Sequence, residues 1–275
     1  GMNFGLLTLL LQLTAFLAAF KGKLKLTIAL AAFLAYTDIY LMALMVPLMI
    51  LHCRKGGNMT SFVIKSLAMM AGLWLTSDWI IWMNWKVYSE RAFSFVSSVY
   101  LSKLRLDSLR PNSGLQWYLF TQVFPEFKNL LKITMQMTLF SFWPATSIKF
   151  RKDPLFIALV LVGSQAILKA YPSSTDYLLF FTLLTIQCKY FEYTRVLLIA
   201  LFVSAGVFLF KFQIWRYWIE LPGFNANFYY IFTLIWNCTL IVILLDIVSA
   251  YNKFQLFRDN PLLEKERASI KLFQK

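Results

Sequence analysis

An all-α polytopic membrane protein with about eight membrane-inserted helices is the fold class that this 275-residue sequence predicts. The first observation behind it is composition: hydrophobic residues make up 59% and charged residues 15%, with a mean hydropathy of +0.62. A soluble domain carries about 25% charged residues because its surface faces water. A chain this apolar must face lipid over most of its surface. The second observation is a series of apolar segments, several close to the roughly 20 residues that cross a hydrocarbon core of about 30 Å. The third is where the charge falls: 27 Lys and Arg stand against 13 Asp and Glu, a net of +14, and many of the cations lie in short connections between apolar segments. In a soluble chain that surplus would point to nucleic acid. Beside apolar spans it reads as positive-inside bias and contact with anionic headgroups, so no nucleic-acid partner is expected.

The segments follow in order. Residues 3–20 form a first span that ends on Lys21, Lys23 and Lys25 and lacks the basic leading region of a cleavable signal. Residues 26–51 are apolar but interrupted by Tyr36, Thr37 and Asp38. A carboxylate at mid-membrane is costly, so two short half-spanning or tilted helices turning at Asp38 are expected, with one uninterrupted span as the alternative. After a polar turn at 52–59, residues 62–85 form a span whose end is crowded by Trp74, Trp79, Trp82 and Trp85, the residue type that collects at the membrane–water boundary. Residues 86–113 read as a long polar connection, and 114–124 as an aromatic amphipathic stretch suited to lie in the interface. Residues 128–148 are a span stopped by Lys149, Arg151 and Lys152. Shorter spans at 154–170 and 177–189 flank a turn, and 196–212 and 228–251 are the last two, joined by an aromatic loop around Trp215, Trp218, Pro222 and Gly223.

This gives a multispan domain over 1–252, with a long luminal loop and interfacial helix at about 86–124, and a charged cytosolic tail over 253–275. If the tail is cytosolic, so are the turns at 21–25, 52–55, 149–152 and 189–195, which hold most of the short-loop Lys and Arg. The opposite short loops carry only Lys169, Lys211 and Arg216. Long loops translocate largely regardless of charge, so the basic residues of the long connection do not disturb this orientation.

Orientation limits the chemistry. His52 is the one histidine and falls in a cytosolic turn, so no luminal Ser or Cys is activated by a histidine of this chain. Cys53, Cys188 and Cys238 are widely spaced and form neither a metal motif nor a disulfide framework, and no cofactor is expected. The luminal carboxylates Asp38, Asp78, Glu90, Asp107, Glu126, Asp176 and Glu220 include no close pair. One of them would serve a lipid-linked sugar transferase as general base or metal ligand, and solvated loop carboxylates are the plainer reading. Asp246 is intramembrane and therefore a functional candidate by default. Its place near the cytosolic end, close to Tyr251 and Lys253, favours a structural pairing. At the start of the last span Asn225, Asn227, Thr233 and Asn237 make the most informative polar group. Asn227, Tyr230, Leu234 and Asn237 fall within about 80° of one another on a helix. Two amides and a phenol on one stripe suit a phosphate- or sugar-bearing headgroup, and the same residue types also glue helices together. Both readings stay open on the residues alone.

Five ordered motifs carry a resemblance. They are RPNSGLQWYLFTQVFPEF at 110–127, the P-x-x-x-I-K-x-R-x-x-P stretch at 144–154, KAYPSSTDYLLF at 169–180, NANFYYIFTLIWN at 225–237 and LLDIVSAY at 244–251. Together they resemble the U subunit (PIG-U family) of the glycosylphosphatidylinositol (GPI) transamidase, itself similar in fold to the membrane domain of GT-C-type lipid-linked glycosyltransferases. Gln122 stands where the family pattern commonly has Glu, and Ser174 where it has Gly. The family chain is longer, with further spans before residue 1, so the sequence is expected to be a fragment or a truncated member.

The resemblance implies a non-catalytic subunit in the endoplasmic reticulum membrane that binds and presents the GPI lipid to a caspase-like cysteine protease subunit, with the C-terminal signal as a second candidate for presentation. On that resemblance Asn225 and Asn227 are expected to contact the ethanolamine-phosphate or glycan. Tyr230 lies on their stripe, and Asn237 sits about 15 Å deeper by helical rise, fixing packing or the inner part of the lipid. Trp117 and Tyr118 are expected to wall the lipid, while Tyr171 and Asp176 shape a turn, with Asp176 capping the next helix. The main rival is a luminal mannosyltransferase of the same broad fold, whose catalytic carboxylate would lie in an early luminal loop.

Overall fold

The computed structural model describes residues 5–83, 96, 99–100, 102–105, 109–221 and 223–260. Most of the long connection expected at 86–113, Trp85, and positions 261–275 of the tail lie outside the described residues. What is described is helical, with no strand among those residues. The helices are α1 (Gly5–Phe20), α2 (Leu24–Thr37), α3 (Met45–Arg54), α4 (Met59–Met83), the single turn α5 (Ser102–Arg105), α6 (Gln116–Gln122), α7 (Pro125–Lys149), α8 (Pro154–Leu168), α9 (Ser174–Ile186), α10 (Leu197–Ile219) and α11 (Ala226–Asp259). Short 3-10 helices occupy Ile39–Leu44 and Cys188–Tyr193. The chain divides into two compact units, Gly1–Leu183 and Leu184–Lys275, with the boundary in the last turn of α9.

In the first unit α1 packs on α2, α2 on α4, and α3 on both α4 and α8. Small side chains permit the close approach: Ala15, Ala18 and Ala19 of α1 and Ala31, Ala32 and Ala35 of α2 are all buried. Ala32 and Ala35 meet Met70 of α4, with Met42, Met45 and Trp74 around them. Helix α8 is apolar on every side and buried from Phe156 to Ile167, the pattern of a core helix. Asp153 caps it, accepting from the Phe156 N–H at 3.2 Å, and Pro154 takes the first position, where its missing N–H costs nothing.

The break expected at Asp38 is present. Helix α2 ends at Thr37, Asp38 is extended, and its carboxylate accepts from the Tyr40 N–H at 3.0 Å to start the 3-10 helix. At the opposite end of α2, two connections are closed by glycines with φ of +68° and +88°, Gly22 and Gly56. Each follows a helix end in the pattern of a Schellman cap. Lys23 N–H donates to the Ala18 carbonyl and Gly22 N–H to Ala19, while Gly57 N–H donates to His52 and Gly56 N–H to Cys53.

In the second unit α10 and α11 form an antiparallel hairpin, and α11 also packs on the 3-10 helix Cys188–Tyr193. Among the described residues three helices are long and apolar enough to cross a membrane: α4, α10 and α11. Five apolar stretches are shorter, Gly5–Phe20, Leu24–Thr37, Ile39–Arg54, Pro154–Leu168 and Ser174–Ile186. The span expected at 128–148 is one continuous helix, α7, yet it is not among the three, because lysines, amides and hydroxyls are spread along its length. Helix α10 runs to Ile219, past the expected end at 212, so Lys211 lies inside a helix and not in a loop.

Candidate functional site

The start of α11 holds the amides that the sequence singles out. Asn225 is the N-cap, and its Oδ1 accepts from the N–H groups of Asn227 at 3.0 Å and Phe228 at 3.3 Å. A side-chain oxygen here satisfies donors that the first helical turn otherwise leaves unpaired. Asn225 and Asn227 are exposed, and Tyr230 is half-buried. Around them Tyr217, Phe224 and Phe228 form an exposed aromatic rim, with Phe224 edge-on to Tyr217 at 5.6 Å and tilted against Phe228 at 5.1 Å between centroids. Gly223 and Phe224 donate their N–H groups to the Tyr217 carbonyl, which folds the loop onto the end of α10.

The stripe traced on the helical wheel is not uniform in burial. Asn227 and Leu234 are exposed, whereas Asn237 is fully buried and donates its Nδ2 to the Thr233 carbonyl at 2.8 Å. The exposed part of the group is therefore Asn225 and Asn227, with Tyr230 at its edge. On the other side of α11, Tyr229 is buried against Trp215 and Trp218, at 5.1 and 5.8 Å between centroids. Lys211, 6% exposed, places its ammonium 5.3 Å from the Tyr229 ring. Among the described residues no carboxylate lies within ion-pair distance of Lys211.

A second polar centre, in the first unit, is formed by residues far apart in sequence. Lys169 Nζ lies 3.1 Å from Asp176 and 3.8 Å from Asp38, and 4.9 Å from the Tyr40 ring centroid. Lys103 pairs with Asp38 at 2.8 Å. The Tyr40 hydroxyl donates to Gln136 Oε1 at 3.2 Å, and Gln165 Nε2 donates to the Tyr40 carbonyl at 2.8 Å. Two cations thus meet two carboxylates, which removes most of the cost of burying each. The sequence signalled Asp38 and Asp176 separately; nothing in it paired either with Lys169, since Asp38 and Lys169 meet only once the 3-10 helix Ile39–Leu44 has packed on α8.

Asp176 also works locally. The Ser173 N–H donates to Asp176 Oδ2 at 2.7 Å, and the Asp176 N–H donates back to Ser173 Oγ at 3.3 Å. This is the reciprocal pairing of a capping box at the head of α9. The turn beside it receives the 110–116 stretch. Tyr171 hydroxyl accepts from the Arg110 N–H at 2.9 Å, Gln116 Nε2 donates to the Leu168 carbonyl at 2.6 Å, and Tyr177 hydroxyl donates to the Ser113 carbonyl at 3.4 Å. A methyl group on Gly114 would stand 2.8 Å from Pro172 Cδ and 3.1 Å from the Ala170 carbonyl, so only glycine allows this approach. The two motifs at 110–127 and 169–180 are one docked assembly. Within it Trp117 is 3% exposed and buried in α6, edge-on to the half-buried Tyr118 at 5.4 Å. Of that pair, Tyr118 is the more accessible.

Where α6 turns into α7 there is an apolar cleft of ≈ 480 Å³, lined by Gln122, Val123, Phe124, Phe127, Leu130, Leu131 and Thr134. Asp246, 8% exposed, receives the main-chain N–H groups of Arg195 and Val196 at 3.0 and 2.9 Å. It anchors the head of α10 to α11 through the backbone, while nearby Lys253 donates to the Tyr193 carbonyl at 3.0 Å. Among the described residues no group of three His, Cys, Asp or Glu could hold a metal ion.

Comparison with known proteins gives one family. The family model described as GPI transamidase subunit PIG-U matches residues 1–236. The GPI transamidase component GAB1 of Saccharomyces cerevisiae is 22% identical over 227 residues, covering 82% of this chain and 56% of that protein. The human GPI-anchor transamidase component PIGU is 23% identical over 240 residues, covering 86% of this chain and 55% of that protein. The GAB1 homolog of Schizosaccharomyces pombe is 28% identical over 214 residues, covering 78% and 50%. The chain spans about half the length of these curated relatives.

Proposed function

The chain belongs to the GPI transamidase subunit PIG-U family, and from that premise we propose that it serves as a non-catalytic subunit of the GPI transamidase in the endoplasmic reticulum membrane, holding the GPI lipid for transfer to a protein. Its partners are then the other subunits, including the one that carries the catalytic cysteine, and the lipid itself. In this reading about eight helices are inserted in the membrane, the shorter ones as tilted or half-spanning segments, and the C-terminal tail is cytosolic.

The observation that carries the reading is the head of α11: exposed Asn225 and Asn227 inside the aromatic rim of Tyr217, Phe224 and Phe228. Aromatic residues at a membrane boundary mark headgroup depth, and amides there accept and donate hydrogen bonds to phosphate or sugar hydroxyls. Tyr230 borders that patch. Asn237, deeper and buried, sets the packing beneath it. Held so, the terminal amine of the lipid is presented to a partner's acyl-enzyme, and the gain in rate is one of proximity.

The test is attachment of GPI to a reporter protein in cells that depend on the full-length subunit. Asn227→Ala should raise the GPI level needed for half-maximal attachment by about tenfold, the effect of losing roughly one hydrogen bond to a charged group. Asn225→Ser, which keeps the helix cap and a hydroxyl donor without adding charge, should be milder than Asn225→Ala. Full activity of the Asn225→Ala, Asn227→Ala double variant at limiting GPI, in an assembled complex, would falsify the reading.

A further inference from the structure

The end of the first unit opposite the Asp38–Lys169 centre carries a dense positive charge. Three turns meet there. Arg54 Nη2 donates to the main-chain carbonyls of Arg151 at 3.2 Å and Lys152 at 2.9 Å, tying the α3–α4 turn to the α7–α8 turn. A Cβ at Gly22 would lie 3.8 Å from Lys55 Cβ, which puts the α1–α2 turn in contact with the same place. Lys21, Lys23, Arg54, Lys55, Arg151 and Lys152 are thereby gathered at one end of the unit, and all six are exposed. Among the described residues none of the six pairs with a carboxylate. The one acid in these turns, Asp153, is committed to capping α8.

We propose that this face is a binding surface for the headgroup of a polyanionic phospholipid in the leaflet it adjoins. Like charges held at short range repel, and among the described residues no carboxylate neutralises these six, so a bound polyanion would relieve the repulsion. The geometry keeps them gathered. Two of the three connections are locked by glycines at φ +68° and +88°, and α1 and α2 are separated by only three residues, 21–23. Arg54 is held on the main chain of its basic neighbours, so the charges cannot spread as they would on a flexible loop. The turns end apolar helices directly, so with those helices in the bilayer the cations stand at headgroup depth and not in bulk water. A headgroup with more than one negative charge bridges two turns; a zwitterionic one gains nothing there. The proposal depends on membrane embedding and is independent of the GPI-presenting role.

The experiment uses the full-length protein purified into nanodiscs of phosphatidylcholine, with and without a minor fraction of phosphatidylinositol 4-phosphate. Lipid retention is measured by native mass spectrometry after mild detergent extraction. Wild type should retain the phosphoinositide in preference to phosphatidylcholine, and the preference should fall with rising salt. Lys55→Gln with Lys152→Gln should lower it by about tenfold or more, at roughly fivefold per cation near a charged surface. The charge-matched double variant Lys128→Gln with Lys132→Gln, on α7 away from this face, should leave it unchanged. Equal losses in the two double variants would mean that net charge alone attracts the lipid and would overturn the proposal. A second measurement needs no variant: a short-chain phosphoinositide should raise the thermal midpoint of wild type where short-chain phosphatidylcholine does not, and no difference between them would also sink the idea.

Discussion

Replacing Lys169 by methionine would leave Asp38 and Asp176 facing a buried space with only Lys103 to balance them. Lys169 and Asp176 are 8% and 7% exposed, and removing one member of a buried pair typically costs about 3–5 kcal/mol. A thermal or denaturant unfolding series in detergent should show that loss, with partial recovery when Asp176→Asn is added to remove the uncompensated charge. Stability unchanged by Lys169→Met would show that the pair contributes nothing to the fold. At this scale the sequence was half legible. Asp38 announced itself as a charge inside an apolar run, and Asp176 as a cap of the next helix, because both signals are local. Their shared partner was not readable, since Lys169 looks from sequence like any cation in a short loop. Asn225 shows the same division: its position before an apolar run marks a helix start, while the burial of Asn237 twelve residues on depends on what packs beside it. The burial of Trp117, expected to wall the lipid, likewise follows from the docked assembly around it.

Helix ends and turns are where the elements of this protein are decided. Asp246 reaches from the middle of α11 to the N–H groups ahead of α10, so Asp246→Ala should fray the first turn of α10. Hydrogen exchange at Arg195 and Val196 should accelerate, and the cap should be worth about 1–2 kcal/mol; protection equal to wild type at those two amides would contradict this role. Gly114→Ala tests the docking of the 110–116 stretch on the Tyr171–Pro172 turn. Its methyl would press on Pro172 and the Ala170 carbonyl, costing about 1–3 kcal/mol by overpacking, and a thermal midpoint equal to wild type would show the approach to be looser than described. The break between α2 and the following 3-10 helix was legible because a carboxylate in hydrocarbon has no other inexpensive place. The extent of α10 was not, because Trp215 and Trp218 signal a boundary by composition yet continue the helix by packing on Tyr229.

Over the whole chain, lateral surfaces and end surfaces carry different information. Helices α4 and α10 expose large apolar side chains along their length, among them Leu75, Ile80, Phe202 and Phe208, as a chain facing lipid or partner helices must. In the first unit a neutralised ion cluster lies at one end and exposed cations at the other. The three basic turns of that unit read from sequence, at 21–25, 52–55 and 149–152, meet at the second end. The number of full crossings was less legible. Apolar composition marks a segment for burial or for lipid alike, and α8, with 15 residues and almost all of them buried, is a core helix by its surroundings.

Helix α11 has a mechanical consequence. Its 34 residues make one unbroken rod of about 51 Å, against a hydrocarbon core of about 30 Å. Asp246 pins it to the head of α10 some 31 Å from Asn225 and about 20 Å from Asp259, counted along the axis. A rod pinned at that point is a lever whose arms stand at about three to two. A tilt imposed at the Asn225 end would reappear at the Asp259 end in the opposite direction, reduced by about a third, with no change in the hydrogen bonds between.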